Sequence, residues 1–208
     1  MTNPITYNLS FTAGAAMLME THAIAQVFME CDGNWATTKK RVFDENVMQK
    51  EKLSSTSRYF ALIKQRLECL TSDEINLLVN SPVAIQRQMV LLAICKAYRF
   101  IYDFINEIVR DTYFNRYEKI SKTSFNEFFN EKKYEHPELE KVTEKSVGKM
   151  RQVLFRILEQ TELIEDTNSG LIRRPYLNNS VEQAIVKDDP LLLAVFLYSN
   201  SEIESLAN

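Results

Sequence analysis

Glycine and proline are scarce, with four and five copies in 208 residues. Every short strand of an all-β fold needs turn chemistry at both ends, and these two residues supply most of it. Their scarcity excludes a strand-rich sandwich or barrel and predicts a mainly α fold. Cysteine is scarce as well. Cys31, Cys69 and Cys95 are odd in number, far apart and without CxxC spacing, which argues against a disulfide framework or a zinc site and for a reducing cytoplasm. His22 and His136 are the only histidines. Neither stands near a Ser or Cys it could activate, and no glycine-rich loop could cradle a nucleotide, so no catalytic centre and no cofactor is expected. Long apolar runs are missing too. LLLAVFLY (191–198) and MVLLAIC (89–95) fall far short of the ~18 residues that span a bilayer. MTNPITYNLS lacks the basic start and long apolar stretch of a signal peptide. A membrane partner is not expected.

What is present reads as an ordered globular chain: 45% of residues are hydrophobic and 25% charged, too apolar for disorder. Apolar periodicity predicts helices over about 12–31, 34–48 and 54–70. Thr71 and Glu74 form a capping box. Ser81 followed by Pro82 reads as an N-cap with proline at N1, opening VAIQRQMVLLAICKAYRFIYDFINEIVRDTYF. That stretch has neither glycine nor proline and is apolar on most of its circumference, the signature of a central, buried helix. It could break in two near Lys96–Tyr98.

After residue 120 the pattern changes. Ser124 with Glu127 forms a second capping box, for a helix over 124–132. Pro137 starts a single turn, PELEK, and Thr143 caps a helix running to about Thr161. LIED, TNSG and LIRRPYL then read as strand, turn and strand, with Gly170 at the positive-φ position. Helix, short helix, long helix and hairpin is the order of a winged helix-turn-helix. Two closing helices are expected over 178–208, the second from Pro190. The division is therefore a helical bundle over 1–120, with an internal helix-turn-helix at 34–70, and a winged-helix-like region with its closing helices over 121–208.

The net charge of −3 hides an uneven distribution. Residues 39–66 carry eight cations against three carboxylates, and residues 141–156 five against Glu144 alone. The rest of the chain must hold twelve excess negative charges to reach the total. KSVGKMRQVLFR (145–156) is the sharpest instance, with four cations and no anion. Wound as a helix, it sets Val147, Met150, Leu154, Ile157 and Leu158 on one side, and Lys145, Lys149, Gln152 and Arg156 on the other. A basic stripe is often only a solvated face. Beside a hairpin carrying Arg173 and Arg174, it fits the phosphates of a duplex.

Three stretches together are familiar: YNLSFTAGAAML, AICKAYRFIYDFINEIV and HPELEKVTEKSVGKMRQVLFRILEQTELI. They resemble the BrxA family, small accessory proteins of bacteriophage-exclusion (BREX) defence systems, over roughly residues 7–177. The resemblance implies a helical protein with a NusB-like core and helix-turn-helix elements. It also implies binding to double-stranded DNA without strong sequence preference, other BREX proteins as partners and no catalytic motif. The DNA-binding role maps onto Lys145, Lys149, Gln152 and Arg156, with Arg173 and Arg174 of the hairpin. A second, less direct mapping takes Arg41, Ser55, Thr56, Arg58 and Lys64 from the 34–70 element, where a helix N-terminus could face phosphates. If about five phosphates are met, log K should fall with log salt at a slope of about −4 to −5.

Other classes stay open at this point. The basic stripes could meet an acidic protein, making the chain an adaptor, and a NusB-like core also admits RNA. Asp103, Glu107 and Asp111 fall four apart and could hold Mg²⁺ for a nuclease; with Arg99 and Arg110 between them, the same residues describe the wet side of an amphipathic helix. Asn34 and Asn46 read as capping or turn residues.

Overall fold

Residues 88–95 are buried on every side of their helix, Val83–Ala97, as a run apolar around its circumference requires. The computed structural model describes residues 6–207; the first half of MTNPITYNLS, and Asn208, lie outside the described residues. Four helices come before the central one: α1 (Leu18–Glu30), α2 (Trp35–Asp44), α3 (Leu53–Leu67) and α4 (Ser72–Asn80). The central helix, α5, packs against α1, α3 and α4. The chain breaks at Tyr98, which is extended (φ −130°, ψ 93°). It resumes as α6 (Arg99–Phe104), passes through a π turn (Ile105–Val109) and ends as α7 (Arg110–Phe114). The break lies where the sequence suggested one.

The second half follows as α8 (Lys122–Lys132), a 3-10 turn at Pro137–Lys141 and α9 (Glu144–Gln160). Then come α10 (Asn179–Asp188), a 3-10 segment Pro190–Phe196 and α11 (Asn200–Ala207). α9 packs on α5 and on a 3-10 turn, Ser10–Ala13, and one continuous core of buried side chains runs through both halves.

Several boundaries differ from the sequence reading, each for a local reason. The first helix begins at Leu18, not near 12, because Met17 is left-handed (φ 54°) and Gly14, Ala15 and Ala16 of the preceding AGAA segment are not helical. That segment is held by Arg66, one of the cations counted in the first basic stretch. Arg66 is fully buried. Its guanidinium donates to the carbonyls of Gly14 at 2.8 Å, Ala15 at 2.7 Å and Ala16 at 3.3 Å, groups that an irregular segment would otherwise leave unpaired. Ser81 ends α4 instead of capping α5. Ser124 caps nothing; it is the third residue of α8, exchanging hydrogen bonds with the true cap, Ser121, at 3.2 Å each way. The box at Thr71 and Glu74 is present, and Glu74 has a second task. Its carboxylate accepts from Lys96 at 2.5 Å, and Lys96 also reaches Asp188 at 2.7 Å, fastening α4, α5 and α10 together.

The expected hairpin is reduced to two isolated antiparallel bridges among the described residues, Ile164 with Ile172 and Lys119 with Leu171. The second bridge brings in residues 118–120, which no local pattern places there. Gly170 has φ +61°, as its turn position demanded. A Cβ there would lie 2.0 Å from the carbonyl oxygen of Ile120, so the glycine also permits a close backbone approach. Two closing helices become three elements, with Asp189 capping the 3-10 segment through the Leu191 N–H at 2.9 Å.

Two substitutions test these features. Arg66→Met should cost about 3 kcal/mol or more in urea denaturation, since it leaves several backbone acceptors unsatisfied; a loss under ~1 kcal/mol would show that the AGAA segment holds without it. Gly170→Ala should lower stability by more than the ~1–2 kcal/mol of a left-handed residue, because the 118–120 segment must also move.

Candidate nucleic-acid interface

α9 is amphipathic in the way its spacing predicted. Met150, Leu154, Ile157 and Leu158 are buried, while Lys145, Lys149, Gln152 and Arg156 are exposed. Thr143 caps the helix by accepting from the Ser146 N–H at 3.3 Å. Its four cations form no ion pair with any carboxylate among the described residues. Lys149 reaches the side-chain oxygen of Gln152 at 3.4 Å, and Arg151 donates to that of Asn126 at 2.8 Å. The helix's own carboxylates, Glu144 and Glu159, form no ion pair with them among the described residues. Within α9, Lys145 and Lys149 stand four apart and so face a like charge at that spacing, and Glu159, three residues after Arg156, accepts from the Thr167 N–H at 3.2 Å.

The other nominated residues are placed differently. Arg173 pairs with Glu165 and Arg174 with Glu202, both at 2.6 Å, and Arg174 also lies 4.9 Å from the ring centre of Tyr198. Arg174 thus ties the bridged segment to α11. Arg41 is held between Glu30 and Glu45, at 2.6 and 2.9 Å, and these hydrogen bonds raise its pKa. Lys64 pairs with Glu68 and covers the Trp35 ring at 5.2 Å. Thr56 is buried, its hydroxyl donating to the Lys52 carbonyl at 3.3 Å, and cannot reach an external phosphate. Ser55 is half-buried. Arg58 is exposed and stacked on Tyr59 at 4.9 Å. Of the two basic stretches, α9 therefore keeps its charge outward while 39–66 spends much of its own internally.

A cleft of about 260 Å³ runs along α9, lined by Gly148, Arg151, Gln152 and Arg156, with Lys122 from the start of α8 and Thr167 and Asn168 from the turn before Gly170. Sequence reasoning assigned no role to Gly148, Arg151 or Lys122. Arg151 lies between the two stripes, and the approach of Lys122 depends on how α8 packs.

Of the three carboxylates considered for a metal, Asp111 is exposed and the other two are otherwise engaged. Asp103 is buried and accepts from the Tyr7 hydroxyl at 2.8 Å and from Arg99 at 2.7 Å. Glu107 pairs with Lys132 at 2.7 Å, and the π turn interrupts the four-residue register. No three His, Cys, Asp or Glu side chains among the described residues gather as a metal-holding set. Arg110 turns from these acids to the Tyr198 carbonyl at 2.7 Å. Burial and the Asp103 carboxylate push the Tyr7 phenol well above its usual range, and His136 stacks on that ring at 3.7 Å. Asn34 caps α2 through the Ala36 and Thr37 N–H groups, both at 3.0 Å, and Asn46 is a left-handed turn residue (φ 47°).

Glu202 gives this region a pH signature. Partial burial pushes its carboxyl up, but hydrogen bonds from Arg174 and Ser199 outweigh that and take it down from 4.5 to about 2. Because the folded protein binds this proton less readily than the unfolded chain, the contribution is present above about pH 4.5 and fades as pH falls towards 2. The group is 40% exposed, so solvent screening limits it to under ~1 kcal/mol. Glu202→Gln should be slightly less stable than wild type at pH 7 and indistinguishable near pH 2. Urea denaturation at both pH values checks this.

Comparison with known proteins gives the lineage. A family model described as BrxA matches residues 5–189. The chain is 25% identical over 164 residues to the BREX protein BrxA of Escherichia coli O9:H4 (strain HS), covering 79% of this chain and 76% of that protein. It is 24% identical over 148 residues to the BREX protein BrxA of Bacillus cereus (strain H3081.97), covering 71% and 74%. The fold is shared with the crystal structure of an uncharacterized protein from Magnetospirillum magneticum, at a TM-score of 0.81 and 18% identity over 93% of this chain and 98% of that one. With most of its length matched in sequence, the chain belongs to the BrxA family.

Proposed function

We propose that this protein is a non-catalytic, double-stranded-DNA-binding component of a BREX phage-defence system, working in the cytoplasm with other BREX proteins. One observation carries the reading: among the described residues the cations of α9 have no carboxylate partner, in a chain that pairs much of its other positive charge. An unpaired cationic face on a rigid helix attracts a polyanion through counterion release, largely independent of sequence. In this reading α8, the Pro137 turn, α9 and the bridged segment act as a winged helix-turn-helix on a NusB-like helical core. α9 is the recognition helix. Gln152 is its one neutral hydrogen-bonding group in the stripe, too little for strong base readout. The wing contributes position more than charge, since Arg173 and Arg174 are already paired. The leucine- and acid-rich stretch 178–208, where Leu191 is exposed, is the surface offered to partner proteins.

The test is a mobility shift with duplex DNA, single strands and RNA at two salt concentrations. Wild type should retard the duplex, more weakly at the higher salt, and Lys149→Glu/Arg156→Glu should abolish retardation without unfolding the protein. Retardation unchanged in the double variant would move the site off α9. Preference for RNA would change the ligand, and no retardation by any nucleic acid would favour an adaptor bound to an acidic protein.

A further inference from the structure

Gly148 is hard to explain from within the molecule. It sits inside α9, where glycine is a poor helix former. A Cβ built there would meet nothing within 4 Å, so no internal packing demands its absence. The space it leaves opens into the cleft that Arg151, Gln152 and Arg156 share with Lys122. Lys122 and Arg156 have no protein partner among the described residues, and Arg151 only the neutral side-chain oxygen of Asn126. Glu159 is the single carboxylate on the cleft, and it is tied to the Thr167 N–H. At about 260 Å³ the cleft greatly exceeds the ~30 Å³ share of one water.

We propose that this cleft seats a single backbone phosphodiester of the bound duplex, with Lys122, Arg151 and Arg156 around the phosphate and Gly148 allowing the strand to come close to the helix. Three cations lining one cleft suit the monoanionic, tetrahedral phosphodiester group, and a missing side chain where backbone meets ligand is the usual structural use of glycine. The inference rests on the duplex reading of α9 and assigns its point of closest approach. A free phosphate ion shares the same chemistry, so the test must separate the two sources.

Binding of a fluorescent duplex to the full chain is measured by anisotropy across a chloride series. Gly148→Ala should melt roughly 1–4 °C higher, because alanine improves the helix, yet bind at least about fivefold more weakly, because a methyl group fills space the strand needs. Stabilisation with unchanged binding would overturn the proposal. The Lys122→Gln/Arg151→Gln/Arg156→Gln variant should lose about one unit of salt slope, the share of one phosphate. A loss near three would mean three separate phosphates, and no loss would mean none; either result overturns the single seat. Inorganic phosphate at matched ionic strength should displace the duplex no better than chloride. Clear extra displacement would make the cleft a small-anion pocket instead. A wild-type protein that binds no duplex sinks the parent reading, whereas normal wild-type binding with unaffected variants sinks the seat alone.

Discussion

The architecture depends on a buried cation that has no carboxylate. Arg66 places its guanidinium against three successive carbonyls, Gly14 to Ala16, with the Tyr98 ring 5.5 Å away. A desolvated charge is tolerable only when hydrogen bonds replace its water, and here the backbone supplies them. In return, the arginine fixes a non-helical segment whose own acceptors need partners. That segment reaches in two directions. Its Ala16 N–H donates to Gln160, at the end of α9, at 2.9 Å. Upstream, Tyr7 binds Asp103 of α6 through its hydroxyl and Glu138 through its N–H at 2.7 Å. The orientation of the cationic helix thus depends partly on a side chain some 90 residues earlier in the chain.

What could be read without coordinates was whatever depends on near neighbours. The amphipathicity of α9, its Thr143 cap, the Thr71 box, the PELEK turn and the interruption near Tyr98 all follow from spacing within one or two turns. Most departures lie where a distant group intervenes, and the cap of α8 is a local one. AGAA is helical by propensity, and only Arg66, arriving from α3, makes the irregular form preferable. Ser124 satisfied the capping-box pattern with Glu127, but Ser121 began the helix first. LIRRPYL reads as the second strand of a simple hairpin because nothing in it indicates that residues 118–120 lie beside it.

Charge divides along the same line. Arg41 with Glu45, Lys64 with Glu68 and Arg99 with Asp103 stand at i,i+4 and could be inferred from spacing. Lys50 with Glu20 and Arg174 with Glu202 could not, and they removed two cations from the apparent basic surface. The α9 stripe survives this correction in part because Lys145 and Lys149 stand four apart with no acid between them, while Arg156 has Glu159 within pairing range on its own helix and yet forms no ion pair with it. Its isolation from distant carboxylates needed the folded chain.

An acidic protein can carry such a face because charge acts locally in salt water. At about 0.1 M ionic strength the screening length is ~10 Å, so carboxylates on far surfaces contribute little to the field above α9. The field there is set by the cations on its own face and by the few acids close enough to oppose them. Glu144 stands beside Lys145 at the start of the helix, and Glu159, near Arg156, accepts from the Thr167 N–H. The opposite flank of α9 is packed into the common core, which fixes the backbone beneath the charges. A polyanion arriving there has only side chains to order, so the entropy lost on binding is smaller than for an equally charged flexible tail. In the proposed reading, placing the cations on a core helix, rather than on an extension, lets a modest local excess of charge serve a polyanion.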